Sequence, residues 1–175
     1  GGVSDQFELA DKQVQLFVVD VPERLNGEDV TAWQLNNAVS LGEAHIRVNR
    51  DAPPPRSGLF TSSVAQTVVT APVLTPGRWY VEVRGEGLTA FQLTSSPVVP
   101  VHSWALPTSE AVGVFAGDSG VLSLGNGRMA YYRIDVPEGN NGLLRAELLN
   151  ISGDTDLYLR QGVPPTRSHR INGYS

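Results

Sequence analysis

The sequence predicts an all-β protein built from two tandem antiparallel β-sandwich domains, of which the second is incomplete. Short runs of β-branched and aromatic residues alternate with turn residues, and the 175 residues include 18 Gly and 12 Pro. No segment repeats apolar residues with the period of an amphipathic helix over three turns. An internal repeat indicates that the chain folds as two similar units.

The repeat consists of two blocks that occur in the same order in both halves of the chain. QVQLFVVDVPE at 13–23 matches RMAYYRIDVPE at 128–138, and LGEAHIRVNRDAPPPRS at 41–57 matches SGDTDLYLRQGVPPTRS at 152–168. The spacing is 115 residues for the first block and 111 for the second, so a short gap falls between them, where turns tolerate insertions. We predict domains at 1–97 and 111–175, joined by a proline-containing linker at 98–110.

The individual strands follow from alternating apolar residues between turn signals. In the first unit they are predicted, in chain order, at 13–21, 29–35, 44–48, 66–73, 78–85 and 88–96. In the second unit they are predicted at 111–117, 120–125, 128–136, 142–149 and 155–161. The best helical candidate, LLRAELL at 143–149, alternates equally well as a strand and is predicted as one.

The two units do not contain the same strands. After PPPRS the first unit continues with three more predicted strands to Ser96, whereas the second reaches only Ser175. The strand at 111–117 has no counterpart in the first unit, and a sandwich that lacks strands exposes an apolar face. We expect the strands ending at 124, 136 and 160 to lie against another polypeptide chain, or against the rest of a longer parent protein.

Charge and composition exclude several classes of function. The net charge of −5 provides no broad cationic surface for a nucleic-acid backbone. No window approaches the roughly 18 apolar residues of a membrane helix. The start, GGVSDQFELA, lacks the pattern of a signal peptide, so we expect any such signal to have been removed. The absence of Cys excludes disulfides and thiolate metal sites.

Residues 131–168, YYRIDVPEG followed by GLLRAELLNISGDTDLYLRQGVPPTRS, resemble the bacterial pre-peptidase C-terminal domain family. The family pattern has a strand ending in a Val-Pro turn, then Gly-Asp-x-Asp-Leu-Tyr-Val, then Pro-Thr. The first unit resembles a degenerate copy in which Glu43, His45 and Arg47 replace the two Asp and the Tyr. Its segment 74–96 is similar to the closing Pro-Gly-x-Trp-Tyr-Val strand of the family.

This resemblance implies tandem jelly-roll-like β-sandwiches attached to secreted bacterial peptidases or other exported proteins. It therefore implies a secreted or cell-surface location and a non-catalytic accessory module that binds protein or polysaccharide or acts as a spacer. Related collagen-binding domains bind calcium through an acidic N-terminal segment, of which GGVSDQFELADKQ is a weak version. The alternative function is a structural or assembly protein completed by strands from another chain.

Asp154 and Asp156 are the candidate metal ligands. Two carboxylates at i and i+2, at the start of a predicted strand, point to one side and suit Ca²⁺, which prefers oxygen ligands. The alternative is that Asp154 caps a tight turn while Asp156 holds an adjacent loop. The first unit has Glu43 and His45 at these positions, a poor calcium set, so calcium is expected only in the second unit.

The sequence shows no catalytic constellation, and we predict that the chain is not an enzyme. His45, His102 and His169 lie in unrelated contexts without metal-ligand spacing. Ser119 in GDSG is explained as a hairpin turn, because the context of a serine protease is missing. A hydrolase that uses the aspartate pair or His169 ranks last, since nothing pairs a nucleophile with a base.

Overall fold

A computed structural model of the chain describes residues 2–55, 60–62, 65–104, 123–136, 144–149 and 152–166. The strands of these residues are β1 (Gly2–Leu9), β2 (Val14–Val21), β3 (Arg24–Leu25), β4 (Glu28–Asp29), β5 (Ala32–Arg50), β6 (Phe60–Ser62), β7 (Gln66–Thr70), β8 (Gly77–Ser96), β9 (Val101–Trp104) and β10 (Tyr131–Ile134). Mostly antiparallel pairing without a helix in this part of the chain confirms the all-β class. No helix within it is long and apolar enough to cross a membrane.

Two long strands, β5 and β8, form the centre of the first unit. They pair antiparallel along nearly their whole length, from the Gln34–Ser96 pair to the Arg50–Trp79 pair. β5 joins the strands predicted at 29–35 and 44–48, and β8 joins those predicted at 78–85 and 88–96. The pairing between them therefore extends past segments that the sequence predicts as turns, with register shifts between Val39 and Glu43.

The paired strands bend, so that the sheet folds into two facing layers. β1 and β7 flank one half of the β5–β8 pair, and β2 and β6 flank the other. Phe7 on β1 meets Phe17 on β2 edge-to-face, with 5.2 Å between ring centroids. Trp33 and Trp79, from opposite halves, lie 5.5 Å apart. Because side chains of the two halves touch, the first unit is a β-sandwich-like fold.

Close backbone approach fixes the bend at Gly42. This residue has φ +70°, and a Cβ built on it would lie 2.4 Å from the carbonyl oxygen of Leu88. The fully buried Thr89 donates its hydroxyl to the carbonyl of Glu43 at 3.0 Å. A glycine in β5 and a buried threonine in β8 thus hold the two strands together at the corner.

The core of the first unit lies between the two layers. Alternate residues of the long strands point inwards, which matches the period of two in a strand. The buried apolar cluster comprises Leu9, Val21, Trp33, Leu35, Ala44, Ile46, Val48, Val69, Leu74, Trp79, Val81, Val83, Phe91 and Leu93. Burying each of the larger side chains contributes roughly 1.5–3 kcal/mol, so this cluster is the main stabilising element of the unit.

Backbone turns recur in the two units with the spacings of the sequence repeat. Positive φ angles occur in three equivalent pairs: Lys12 and Gly127 (60° and 70°), Gly42 and Gly153 (70° and 77°), and Asp51 and Gly162 (62° and 86°). The first pair lies in matching turns, closed by hydrogen bonds from Gln13 N to Ala10 O at 3.0 Å and from Arg128 N to Gly125 O at 3.1 Å. Since non-glycine residues rarely adopt this conformation, the agreement supports the repeat.

The described part of the second unit has less regular structure than the sequence predicts. β10 pairs in parallel with β9, which lies within the predicted linker 98–110. Residues 144–149 and 154–160 have no regular secondary structure, so the strands predicted there are wrong for these residues. A strand needs a neighbouring backbone for its hydrogen bonds, and no described residue of the second unit supplies the counterpart of β8. The strand predicted at 111–117 lies outside the described residues.

Candidate functional site

Equivalent apolar positions differ sharply in burial between the two units. Five of them are at most 4% exposed in the first unit, whereas their counterparts in the second are 46–53% exposed. The pairs, first unit before second, are Leu9 and Leu124, Val21 and Val136, Trp33 and Leu144, Ile46 and Leu157, and Val48 and Leu159. Five positions that lie in the core of the first unit are thus exposed to solvent in the second, and we name the five residues of the second unit at these positions the leucine-rich face.

In the first unit, β8 lies beside two of the equivalent positions in the same sheet. Ile46 lies opposite Val83, and Val48 lies opposite Val81, in an antiparallel ladder. In the second unit, residues 154–160 pair with no described strand. The exposed side chains of Leu157 and Leu159 in this segment can contact a bound molecule.

Arginine contacts hold this segment against the first unit. Arg160 donates from Nη1 to Oγ1 of Thr70 at 2.7 Å and from Nη2 to the carbonyl of Ala71 at 2.6 Å. Tyr131 of β10 packs with Ala32 and with Val68 and Val99, on the face of β5 and β7 opposite the core. Leu157 and Leu159 of the leucine-rich face thus lie on a segment whose end is fixed to a folded unit.

A hollow of about 320 Å³ lies at the same junction, between Gln34 and Gln66 of the first unit and residues 128–131 of the second. The backbone N–H of Met129 donates to Oε1 of Gln66 at 2.9 Å, and Arg128 donates to Oδ1 of Asn36 at 3.0 Å. Because its lining groups bond across the two units, we assign the hollow to the contact between them.

The structure places Asp154 and Asp156 at the start of the segment that carries Leu157 and Leu159. Both carboxylates are exposed, and the Tyr158 hydroxyl donates to Oδ2 of Asp156 at 3.3 Å. Among the described residues, no group of three or more His, Asp or Glu side chains is close enough to hold a metal ion. Asp154 and Asp156 therefore lie in the same segment as Leu157 and Leu159, and no third His, Asp or Glu of the described residues joins them as a metal ligand.

The other candidate residues are not brought together. In the first unit, His45 Nε2 lies 3.7 Å from Oε1 of Glu43, at the positions equivalent to the aspartates. His102 lies in β9, and His169 and Ser119 lie outside the described residues.

A second exposed apolar row runs along β2, and its residues are predicted from the sequence only as a strand. Val14, Leu16 and Val18 are exposed on alternate positions. β2 pairs with β8 on one side, and no described strand pairs with its other side. Such an edge can add a further strand.

No protein-family model, curated protein or solved structure matches the chain. The resemblance to pre-peptidase C-terminal domains thus stays a prediction from the sequence.

Proposed function

We propose that the chain is a non-catalytic accessory module of a secreted or cell-surface bacterial protein, and that its second unit binds a polypeptide. The observation that carries this proposal is the leucine-rich face, whose counterparts in the first unit are core residues. Leu157 and Leu159 lie two residues apart in one segment, and exposed apolar patches mark sites of protein interaction. The location and the accessory role rest on the sequence resemblance, as does a jelly-roll-like topology for each unit.

Aliphatic side chains favour a polypeptide over a polysaccharide as the ligand. Leu144, Leu157 and Leu159 offer no hydrogen bonds to the hydroxyl groups of a sugar, which would lose their water on binding. An extended peptide, in contrast, can place apolar side chains against these leucines. Polysaccharide binding and a spacer role remain the alternatives that the test separates.

Retention on immobilised polymers tests the proposal. The full chain is expected to bind casein or gelatin beads and to pass through a cellulose column. Replacing Leu144 with serine should weaken retention on casein about threefold or more, since part of a leucine contact is lost. Leu16→Ser on β2 is the matched control, because both leucines are 46% exposed. Retention on cellulose alone, or equal losses in the two variants, contradicts the proposal.

The exposed row of β2 favours the second candidate function, a structural protein whose chains associate through strand addition. Val14, Leu16 and Val18 would then pair with a strand of another copy. Concentration-dependent association in sedimentation, lost in Leu16→Ser and kept in Leu144→Ser, distinguishes this function from the first.

The calcium prediction for Asp154 and Asp156 has a direct thermal test. At a hundredfold excess over Kd, bound Ca²⁺ should add about 2.7 kcal/mol to the stability of the fold. The variant with Asp154→Asn and Asp156→Asn should lose this gain, and Glu43→Gln in the first unit should keep it. Identical melting with Ca²⁺ and with a chelator would support turn capping instead.

A further inference from the structure

We infer that the exposed apolar row of β2 is a docking surface for a sheet face like the outer face of β5 and β7, the face opposite the core. The row comprises Val14, Leu16 and Val18, and the outer face includes Ala32 and Val68. The second unit covers this face within its own chain and thereby prevents head-to-tail stacking of copies. The contact joins two sheet faces, so it differs from strand addition at the edge of β2 and goes beyond peptide binding at the leucine-rich face.

The internal repeat identifies what the row of β2 can contact. Leu16 aligns with Tyr131 at the spacing of 115 residues that relates the two units. Tyr131 is 4% exposed because it packs with Ala32 and Val68 of the first unit, whereas Leu16 is 46% exposed. Met129, two residues before Tyr131, packs against the same cluster. The row that is exposed in the first unit is therefore, in the second unit, the row that contacts another unit.

The row and the outer face are chemically compatible. Ala32 and Val68 lie diagonally across β5 and β7 and are only 6% and 9% exposed beneath the second unit. Leu16 in the place of Tyr131 would bury apolar side chains against them, and burial of apolar surface drives association. The neighbouring residues of the outer face on β5 and β7 are uncharged: Gln34, Asn36, Gln66 and Thr70. Contact between the row and these residues therefore buries no charged side chain.

The second unit holds the outer face closed with hydrogen bonds as well as by packing. Arg160 donates to Oγ1 of Thr70 at 2.7 Å and to the carbonyl of Ala71 at 2.6 Å. The backbone N–H of Met129 donates to Oε1 of Gln66 at 2.9 Å. A contact within one chain has a high effective concentration and therefore excludes a similar contact between copies. Once the face is open, it can accept the row of one other copy, which is a head-to-tail contact.

Mixing two chains with complementary defects tests the inference. The acceptor variant carries Tyr131→Ser and Arg160→Ser, which open the outer face, and Leu16→Ser and Val18→Ser, which remove most of its own row. The natural chain keeps its row and has a closed face. In sedimentation at micromolar concentration, we expect each chain alone to stay monomeric and the mixture to form a one-to-one complex.

Removing the row from the natural chain should weaken this complex. Leu16→Ser together with Val18→Ser should raise the dissociation constant about tenfold or more, since two aliphatic contacts are lost. Val3→Ser together with Leu88→Ser is the matched control, because these side chains are 64% and 63% exposed and lie on other strands. The control should bind the acceptor variant as the natural chain does.

Two measurements show whether the acceptor variant is open and folded. Faster hydrogen exchange of the Met129 N–H shows that the outer face is open, and the fluorescence of Trp33 and Trp79 shows that the core of the first unit is intact. An open and folded acceptor that does not bind the natural chain contradicts the inference, as does equal weakening by the row variant and its control. Association of the natural chain with itself, lost in Leu16→Ser, contradicts the closed face and supports strand addition.

Discussion

Replacing Gly42 with alanine is expected to lower the free energy of unfolding of the first unit by about 3 kcal/mol or more. The φ of +70° is unfavourable for any side chain, which costs roughly 1–2 kcal/mol. The added Cβ would also lie 2.4 Å from the carbonyl oxygen of Leu88, a backbone atom that cannot rotate away. Urea unfolding followed by the fluorescence of Trp33 and Trp79 measures the loss, since both rings lie in the core.

Alanine substitutions at two other glycines separate the cost of the steric clash at Gly42 from the cost of its backbone conformation. Gly87 and Gly153 have φ of +73° and +77°, and a Cβ on either would meet nothing within 4 Å. Alanine at these positions should therefore cost only about 1–2 kcal/mol. Equal destabilisation by Gly42→Ala and Gly87→Ala would show that β5 and β8 can move apart at Gly42 without loss of stability. The close approach of Gly42 to Leu88 would then not fix the bend.

The sequence does not predict that the strands on the two sides of this corner join into one. The strand positions on either side of Gly42 and of Gly85 follow from alternation, and the structure confirms them as parts of β5 and β8. Whether a ladder continues through a glycine depends on contacts such as Thr89 with Glu43, which join residues far apart in the chain. Local periodicity contains no information on such contacts, so the sequence predicts four strands where the structure has two.

Within the sequence, only the internal repeat indicates β1. Its polar residues Asp5 and Gln6 interrupt the apolar alternation, because this edge strand turns one side to solvent. Extending the first block of the repeat backwards aligns Leu9 with Leu124 and the turn after each. The segment for which no strand is predicted thus has a recognisable counterpart in the second unit.

The candidate site was predictable in outline and not in detail. The repeat aligns Leu157 and Leu159 with Ile46 and Val48 of the core, and alternation within each segment marks all four positions as apolar. It does not predict that Tyr131 is buried while its counterpart Leu16 is exposed. This reversal arises because Tyr131 packs on Ala32 and Val68 of the first unit, a contact between units that alternation within one strand cannot show.

The ion pair between Arg47 and Glu82 should give the second large effect on stability. The two side chains bond across β5 and β8 and are only 16% and 10% exposed. Arg47→Met leaves the Glu82 carboxylate without its partner in a largely buried position, and we expect a loss of about 3 kcal/mol. Glu82→Met leaves the Arg47 guanidinium without its carboxylate partner and with only its bond to the carbonyl of Pro55 at 3.2 Å. We expect a similar loss of stability.

The double variant with Arg47→Met and Glu82→Met distinguishes the cost of an unpaired buried charge from the cost of lost packing. Replacing both residues with methionine removes both charges and keeps most of the apolar volume, so its stability should lie within about 1 kcal/mol of the natural chain. The pair between Arg78 and Asp20, also across strands but well exposed, is the control, and Arg78→Met should change stability little. Additive losses in the double variant would show that Arg47 and Glu82 stabilise the sheet independently, through contacts other than their mutual bond.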